Sequence, residues 1–237
     1  MVQDGDDLAA LLTTALSESQ LQLLDNDVLV IAQKIVSKAE GRLVTLDTVT
    51  PSKRAKEVAA QMGRDPRLTE LVLQESAEVV RQNERVIITE NRLGIVMANA
   101  GIDQSNVDAG TALLLPIDPD QSARLLRAEL QKHWPIELGV IVADSIGRAW
   151  RRGIVGHAIG VAGMAALVDR RREKDLYGRE LKVTETALAD ELAAAATVLM
   201  GQASEGLPAV IVRGVPHLGD ESTAKSLLRP HQEDLFR

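Results

Sequence analysis

Apolar and polar positions along this chain follow two rhythms, one helical and one alternating, and together they assign most of its elements. Leu8, Leu11, Leu12 and Leu16 recur at helical spacing behind Asp6-Asp7, acids suited to the positive end of a helix. Residues 27–32 (Asp-Val-Leu-Val-Ile-Ala) form a short β-branched run that predicts a strand, and 41–46 offers another. Thr50-Pro51 opens a helix through Ala60 that Gly63 stops, and Asp65-Pro66 opens the next. The β-rich runs 85–89 and 93–98 flank Glu90-Asn91-Arg92, which predicts a hairpin. Asp118-Pro119 caps a helix running to about Lys132. Residues 138–143 (Leu-Gly-Val-Ile-Val-Ala) read as a buried strand with Asp144 and Ser145 at its carboxyl end. The Ala-rich segment 184–200 predicts a long helix ended by Gly201, followed by a strand over 208–213 and a short helix over 223–228. No repeat, low-complexity tract or linker interrupts this mixture. The expected class is α+β, one unit over residues 1–237, with interwoven lobes whose boundaries are not readable.

Composition narrows what such a unit can do. Hydrophobic residues make up 45% of the chain, enough for a core, yet the aromatics are only Trp134, Trp150, Tyr177 and Phe236. That scarcity argues against single-stranded nucleic-acid binding, which leans on aromatic platforms. The net charge of −7 also disfavours a general polyanion binder. No cysteine is present, so disulfides and thiolate metal sites are excluded, in keeping with a reducing cytoplasm. The start, Met1-Val2-Gln3-Asp4-Gly5-Asp6-Asp7, lacks the pattern of a secretory signal, and no apolar stretch approaches the roughly 20 residues that span a bilayer. A soluble cytoplasmic protein that contacts neither nucleic acid nor membrane is expected.

The richest candidate chemistry lies in 144–153, Asp-Ser-Ile-Gly-Arg-Ala-Trp-Arg-Arg-Gly. A carboxylate and a hydroxyl at a strand end suit a hard cation such as Mg2+, which takes oxygen ligands and is often completed by substrate phosphates. Arg148, Arg151 and Arg152 can clamp an anion, or form a solvated basic turn. The glycines of 156–163 do not make G-x-G-x-x-G, and G-x-x-x-x-G-K occurs nowhere, so neither a dinucleotide fold nor a P-loop is supported. Close backbone approach within a sheet explains those glycines better.

Polar residues also interrupt the apolar pattern at 33–38, 103–106 and 202–205. Lys34 or Lys38 can meet a phosphate or stay solvated. Asp103 and Asn106 fit an Asx turn, but Asp103 and Asp144 at two strand ends would also make a divalent-metal pair. Gln202 offers a neutral oxygen or a helix C-cap. His133, His157, His217 and His231 lack zinc spacing, and none is expected to be a ligand.

Taken together, these stretches resemble the coenzyme F420-0:L-glutamate γ-ligases, the CofE family. The matching strings are Ile35-Val36-Ser37-Lys38-Ala39-Glu40-Gly41-Arg42, Asn99-Ala100-Gly101-Ile102-Asp103-Gln104-Ser105-Asn106, Leu115-Pro116-Ile117-Asp118-Pro119-Asp120 and 144–163. Met200-Gly201-Gln202, Arg229-Pro230 and Asp234-Leu235-Phe236-Arg237 agree as well. The resemblance implies a two-lobed α+β subunit in an intertwined homodimer. It implies a GTP-dependent ligase joining L-glutamate to coenzyme F420-0 and then adding γ-linked glutamates, through an acyl phosphate, with Mg2+ or Mn2+ and with K+ assisting. By motif, the metal ligands are Asp103, Asp144, Ser145 and Gln202. The nucleotide contacts are Gln33, Lys34, Lys38, Asn106 and the segment Met200, Gly201, Gln202, Ala203, Ser204, Glu205, Gly206 and Leu207.

Two places depart from the family pattern. The Leu-Pro-Glu-hydrophobic loop with which members usually begin would finish about where Met1-Val2-Gln3 stands, so the start is truncated or base recognition differs. At 169–172 the chain has Asp-Arg-Arg-Arg where Asp-Tyr-Arg-Gly is more common. Fused members continue into a nitroreductase-like domain, and this chain resembles the ligase part alone. A nucleotide-binding protein without turnover, or an amide ligase for another acceptor, stands as the alternative.

Overall fold

The computed structural model describes residues 1–216 and 218–235. His217, and Phe236 and Arg237 of the closing motif, lie outside the described residues. In chain order the elements are α1 (Leu8–Glu18), β1 (Asp27–Ala32), α2 (Gln33–Ala39), β2 (Leu43–Thr45), α3 (Lys53–Met62), α4 (Pro66–Gln74), β3 (Ser76–Gln82), β4 (Ile87–Asn91) and β5 (Val96–Ala98). There follow β6 (Thr111–Leu113), α5 (Pro119–Gln131), β7 (Leu138–Gly147), β8 (Ile154–Ala162), β9 (Val168–Asp169), β10 (Glu185–Thr186), α6 (Leu188–Met200) and β11 (Ala209–Val212). The class is mixed α+β, as the pattern predicts.

The central sheet has the order β11-β1-β7-β8, with β1 and β7 parallel and both outer pairings antiparallel. Its inner strands read as unbroken apolar runs because both faces are covered. Leu29, Ile31, Val140 and Val142 pack under α1 and α5, while Val28, Val30, Ile141 and Ala143 meet the alanines of α6. Two glycines of β8 make this packing possible. A Cβ at Gly160 would stand 2.2 Å from the Pro119 carbonyl oxygen, and one at Gly156 would stand 2.5 Å from that of Ala193. The expected backbone approach is therefore real, with α5 and α6 as the approaching elements.

A second region holds α3, α4 and the sheet β3-β4-β5, built on two small cores centred on Leu71 and on Val72 with Ile87. Capping follows the sequence closely: Asp7, Asp65 and Asp118 accept helix N–H bonds, and Gly63 closes α3 at φ +60°. Ser52, two residues beyond the expected Thr50, caps α3.

Three expectations need correction. β7 does not stop at Ala143, because β8 keeps pairing with it as far as Gly147↔Ile154. Asp144 is thus inside a strand, although it lies one residue past the end of the parallel pairing at Ala32↔Ala143. The helix expected from 184 begins at Leu188, since Glu185 and Thr186 pair with β9. In the predicted hairpin Asn91 belongs to β4, buried, with its Oδ1 accepting the N–H groups of Leu93 and Ile95. No helix among the described residues is long and apolar enough to cross a membrane.

Candidate active site

β1 leads into α2 without a connecting loop, and this junction builds the site. The parallel pairing ends at Ala32↔Ala143, and Gln33 and Asp144 are the next residues of the two segments. Alternation along β7 sends Asp144 to the face of Val142 and Ile146, and Ser145 to that of Ile141 and Ala143. The two residues paired by motif therefore point to opposite sides of the sheet.

The first helical turn of α2 reaches across to the segment after β5. Lys34 Nζ lies 2.6 Å from Asp103 Oδ2 and also donates to Ser105 Oγ. Asp103 exchanges backbone bonds of 3.0 and 2.8 Å with Leu113, and its carboxylate accepts from the Ser105 N–H at 2.7 Å and the Ser105 hydroxyl at 3.0 Å. Here the Asx-type turn is formed together with an ion pair to Lys34. One turn later, Lys38 Nζ donates to the Asn106 carbonyl at 2.7 Å. Asn106, at φ +57°, points its amide at the Ala203 carbonyl 3.5 Å away. Segments 33–38, 103–106 and 202–205 thus converge.

The two aspartates differ in how readily they ionise. Burial is the largest influence on Asp144 and lifts its carboxyl to about 6. The Ser145 N–H at 2.9 Å, Lys34 and the Gln33 amide oppose that rise, while the negative charge of Asp103 adds to it. Burial pushes Asp103 up as well, but the bonds from Lys34 and Ser105 outweigh it and hold the group below its ordinary value. Asp103 is neutralised by a lysine; Asp144 lacks a matching cation.

That imbalance fits a hard divalent cation. Two carboxylates from remote segments supply oxygen donors, and the mutual repulsion felt at Asp144 is the kind an added positive charge removes. No cluster of three or more His, Asp or Glu side chains able to hold a metal occurs among the described residues, so the remaining ligands would have to be water, substrate oxygens or neutral side chains.

The other expected residues divide. Gly201, not Gln202, caps α6, and Gln202 to Leu207 form an exposed loop in which Glu205 Oε2 accepts the Ala203 N–H at 2.8 Å. Met200 is buried against the α6 face of the sheet. Arg151 and Arg152 are exposed, whereas Arg148 is half-buried with its Nε enclosed and unbonded. No hydrogen bond or ion pair joins these arginines to Asp103 or Asp144. His157 Nδ1 lies 2.9 Å from the Val155 carbonyl, and His231 pairs with Glu90 at 3.2 Å.

Sequence reasoning missed a cavity of about 370 Å³ beside this site. Ile146, two residues from Asp144 on the same face of β7, forms part of its wall with Ile159 and Leu228, and Arg92, Lys225 and Asp118 supply charge. Its lining is drawn from six separate segments, so no local string marks it.

A profile of the F420-0:gamma-glutamyl ligase family matches residues 1–214. The chain belongs to this family. It is 51% identical over 239 residues to a protein of Methanothermobacter thermautotrophicus named coenzyme F420:L-glutamate ligase, covering 100% of this chain and 95% of the relative. Relatives of the same name from Methanopyrus kandleri and Archaeoglobus fulgidus are 48% and 44% identical, covering all of this chain and 93% and 92% of their own lengths. The span matched by the ligase profile contains every segment that converges around Asp103 and Asp144.

Proposed function

We propose that this chain is a GTP- and divalent-metal-dependent ligase that joins L-glutamate to coenzyme F420-0 and then adds further γ-linked glutamates. The names and high identity of the relatives support the substrates. The observation that carries the chemistry is the approach of Asp103 and Asp144, with their unequal charge compensation, beside Lys34 and Lys38.

In this reading a coenzyme carboxylate oxygen attacks the γ-phosphorus of GTP and GDP leaves. The glutamate amine then attacks the acyl carbon, phosphate departs, and the amine proton passes to solvent or a nearby base. All partners are anionic, so charge compensation and positioning are the main demands on the protein. Asp103 and Asp144, with Gln202 as a neutral oxygen donor, would hold Mg2+ or Mn2+, whereas the Ser145 side chain, expected there by motif, lies on the opposite face of the sheet. Such an ion, when bound, offsets phosphate charge and polarises the phosphoryl group. Lys34, Lys38, Asn106 and the 202–207 loop meet the nucleotide, and K+ assists. Arg148, whose enclosed Nε lacks a partner, is the best anion clamp of the three arginines. The cavity at Ile146 gives an acceptor room next to the metal ligands. The same reading includes a cytoplasmic homodimer, supported by exposed Leu176, Tyr177 and Val183 on the arm around β9 and β10.

The test is to incubate the purified protein with coenzyme F420-0, glutamate, GTP and Mg2+ and weigh the product. Coenzyme heavier by whole glutamate residues, formed only with metal, is the expected result. GDP release that ignores glutamate would instead favour a related ligase or phosphotransferase, and GTP binding without turnover would favour a binding protein.

A further inference from the structure

We propose that Lys225 and Arg92, exposed at the mouth of the cavity beside Ile146, hold the anionic coenzyme there, and that glutamate binds elsewhere. The position of the cavity fits the ligase reading, on which this inference rests. Ile146 follows Asp144 by two on the same face of β7, and His157, also in the wall, is the register partner of Asp144 on β8. A molecule that fills the cavity therefore lies beside Asp144.

The charges around the cavity are unequally engaged. Asp118 accepts the Gln121 N–H at 2.9 Å, Asp190 that of Ala158 at 2.9 Å, and the buried Asp120 those of Val161 and Ala224 at 2.8 and 2.9 Å. Each acid facing the cavity thus serves a backbone donor. Of the Arg92 side chain only Nε is bonded, to the Gln74 carbonyl at 2.8 Å, so its two terminal nitrogens remain for a ligand. Among the described residues, the Lys225 ammonium meets no acid within ion-pair distance. Two available cations and three engaged acids suit a ligand that is anionic throughout. Glutamate brings an ammonium as well as carboxylates, and its short chain offers little to walls built from Ile95, Ile117, Ile146, Ile159 and Leu228. About 370 Å³ enclosed by aliphatic side chains matches the flat deazaflavin body of the coenzyme, whose acidic groups the two cations can meet.

The test is to titrate the protein into coenzyme F420-0, in chelator and without nucleotide, and follow the anisotropy of the coenzyme's own fluorescence. Lys225→Gln and Arg92→Gln should each weaken binding about tenfold, as loss of a charge-assisted hydrogen bond does, and Lys225→Arg should keep most of it. Both replacements are at exposed positions, which keeps the fold intact. The KM for glutamate and the affinity for a fluorescent GTP analogue should stay within about twofold of the wild type. A rise in the glutamate KM with coenzyme affinity unchanged overturns the proposal and makes the cavity the glutamate site. If the wild type binds coenzyme and both variants bind it equally well, this site fails and the ligase reading stands. If the wild type binds no coenzyme, the ligase reading fails and takes the site with it.

Discussion

Asp144 stands in a strand whose neighbours Val140 and Val142 are wholly buried, whereas Asp103 stands in an exposed turn held by one bridging pair to Leu113 and by a lysine from α2. The core fixes the first carboxylate without reference to its charge, so burial dominates and the group resists ionisation. Polar bonds alone fix the second, and those bonds favour its charged form. The apolar strand thus delivers a carboxylate whose burial opposes ionisation, and the polar turn delivers one whose bonds favour it. On the metal-dependent reading proposed above, a bound cation would relieve Asp144 more than Asp103.

The largest expected effect breaks the pair where burial opposes ionisation. Asp144→Asn keeps shape and removes charge, and turnover should fall at least about 100-fold, the several kcal/mol that a metal-held phosphoryl charge represents. Wild-type turnover in this variant, measured by product mass, would remove Asp144 from the mechanism.

Stability should then move in opposite directions for the two aspartates. The folded-state value of Asp144 is raised to about 6, so holding it ionised costs stability. That cost is absent below about 3.8, grows as pH rises through 6 and is complete above it. Metal-free Asp144→Asn should therefore melt higher than the wild type at pH 7.5, by up to about 3 kcal/mol in stability, with the gain shrinking toward pH 5. Asp103 has a lowered value, so its contribution is present above about 3.8 and is lost on acidification. Asp103→Asn should melt lower at pH 7.5. Added Mg2+ should raise the melting temperature of the wild type and not of Asp144→Asn. Two shifts of the same sign in calorimetry would dissolve the contrast.

A smaller effect sharpens it from the lysine side. Lys34→Met strips Asp103 of its cation and should cost about 1 kcal/mol, a partly exposed pair being worth no more. Saturating Mg2+ should restore most of that loss, because the ion takes over the compensation. A melting deficit indifferent to metal would mean that Lys34 and the cation do not share Asp103.

The same two regions show what the sequence could and could not disclose. Apolar strands with covered faces and side-chain helix caps at Asp7, Asp65 and Asp118 write themselves locally, and those elements match expectation. α2 escaped because its N-cap, Ala32, has no side chain able to cap it and the helix continues straight from a strand. β3 escaped because its side chains are largely exposed and its pairing slips twice against β4. The polar breaks at 33–38, 103–106 and 144–145 were visible as interruptions, yet their meeting depends on the register of β1 against β7, which no local string contains. Apolar alternation predicted where β7 would begin better than where it would end, since antiparallel pairing with β8 carries the strand through polar residues.

The least effect is expected where the sequence looked richest. Three arginines follow Asp144, but Arg151 and Arg152 are solvent-exposed, and exposed charges contribute little once salt screens them. Arg151→Gln and Arg152→Gln should each leave KM for coenzyme and glutamate within about threefold of the wild type at physiological salt. Arg148 differs, since its Nε is enclosed without a partner and an anion there would satisfy it. Arg148→Gln should raise one substrate KM by about fivefold to tenfold with kcat little changed, as loss of a charge-assisted hydrogen bond does. Equal effects at all three positions would mean that the turn acts through net charge, and raising the salt would then erase them together. Unequal effects that survive salt would mean that burial, not the number of arginines, decides which of them meets substrate.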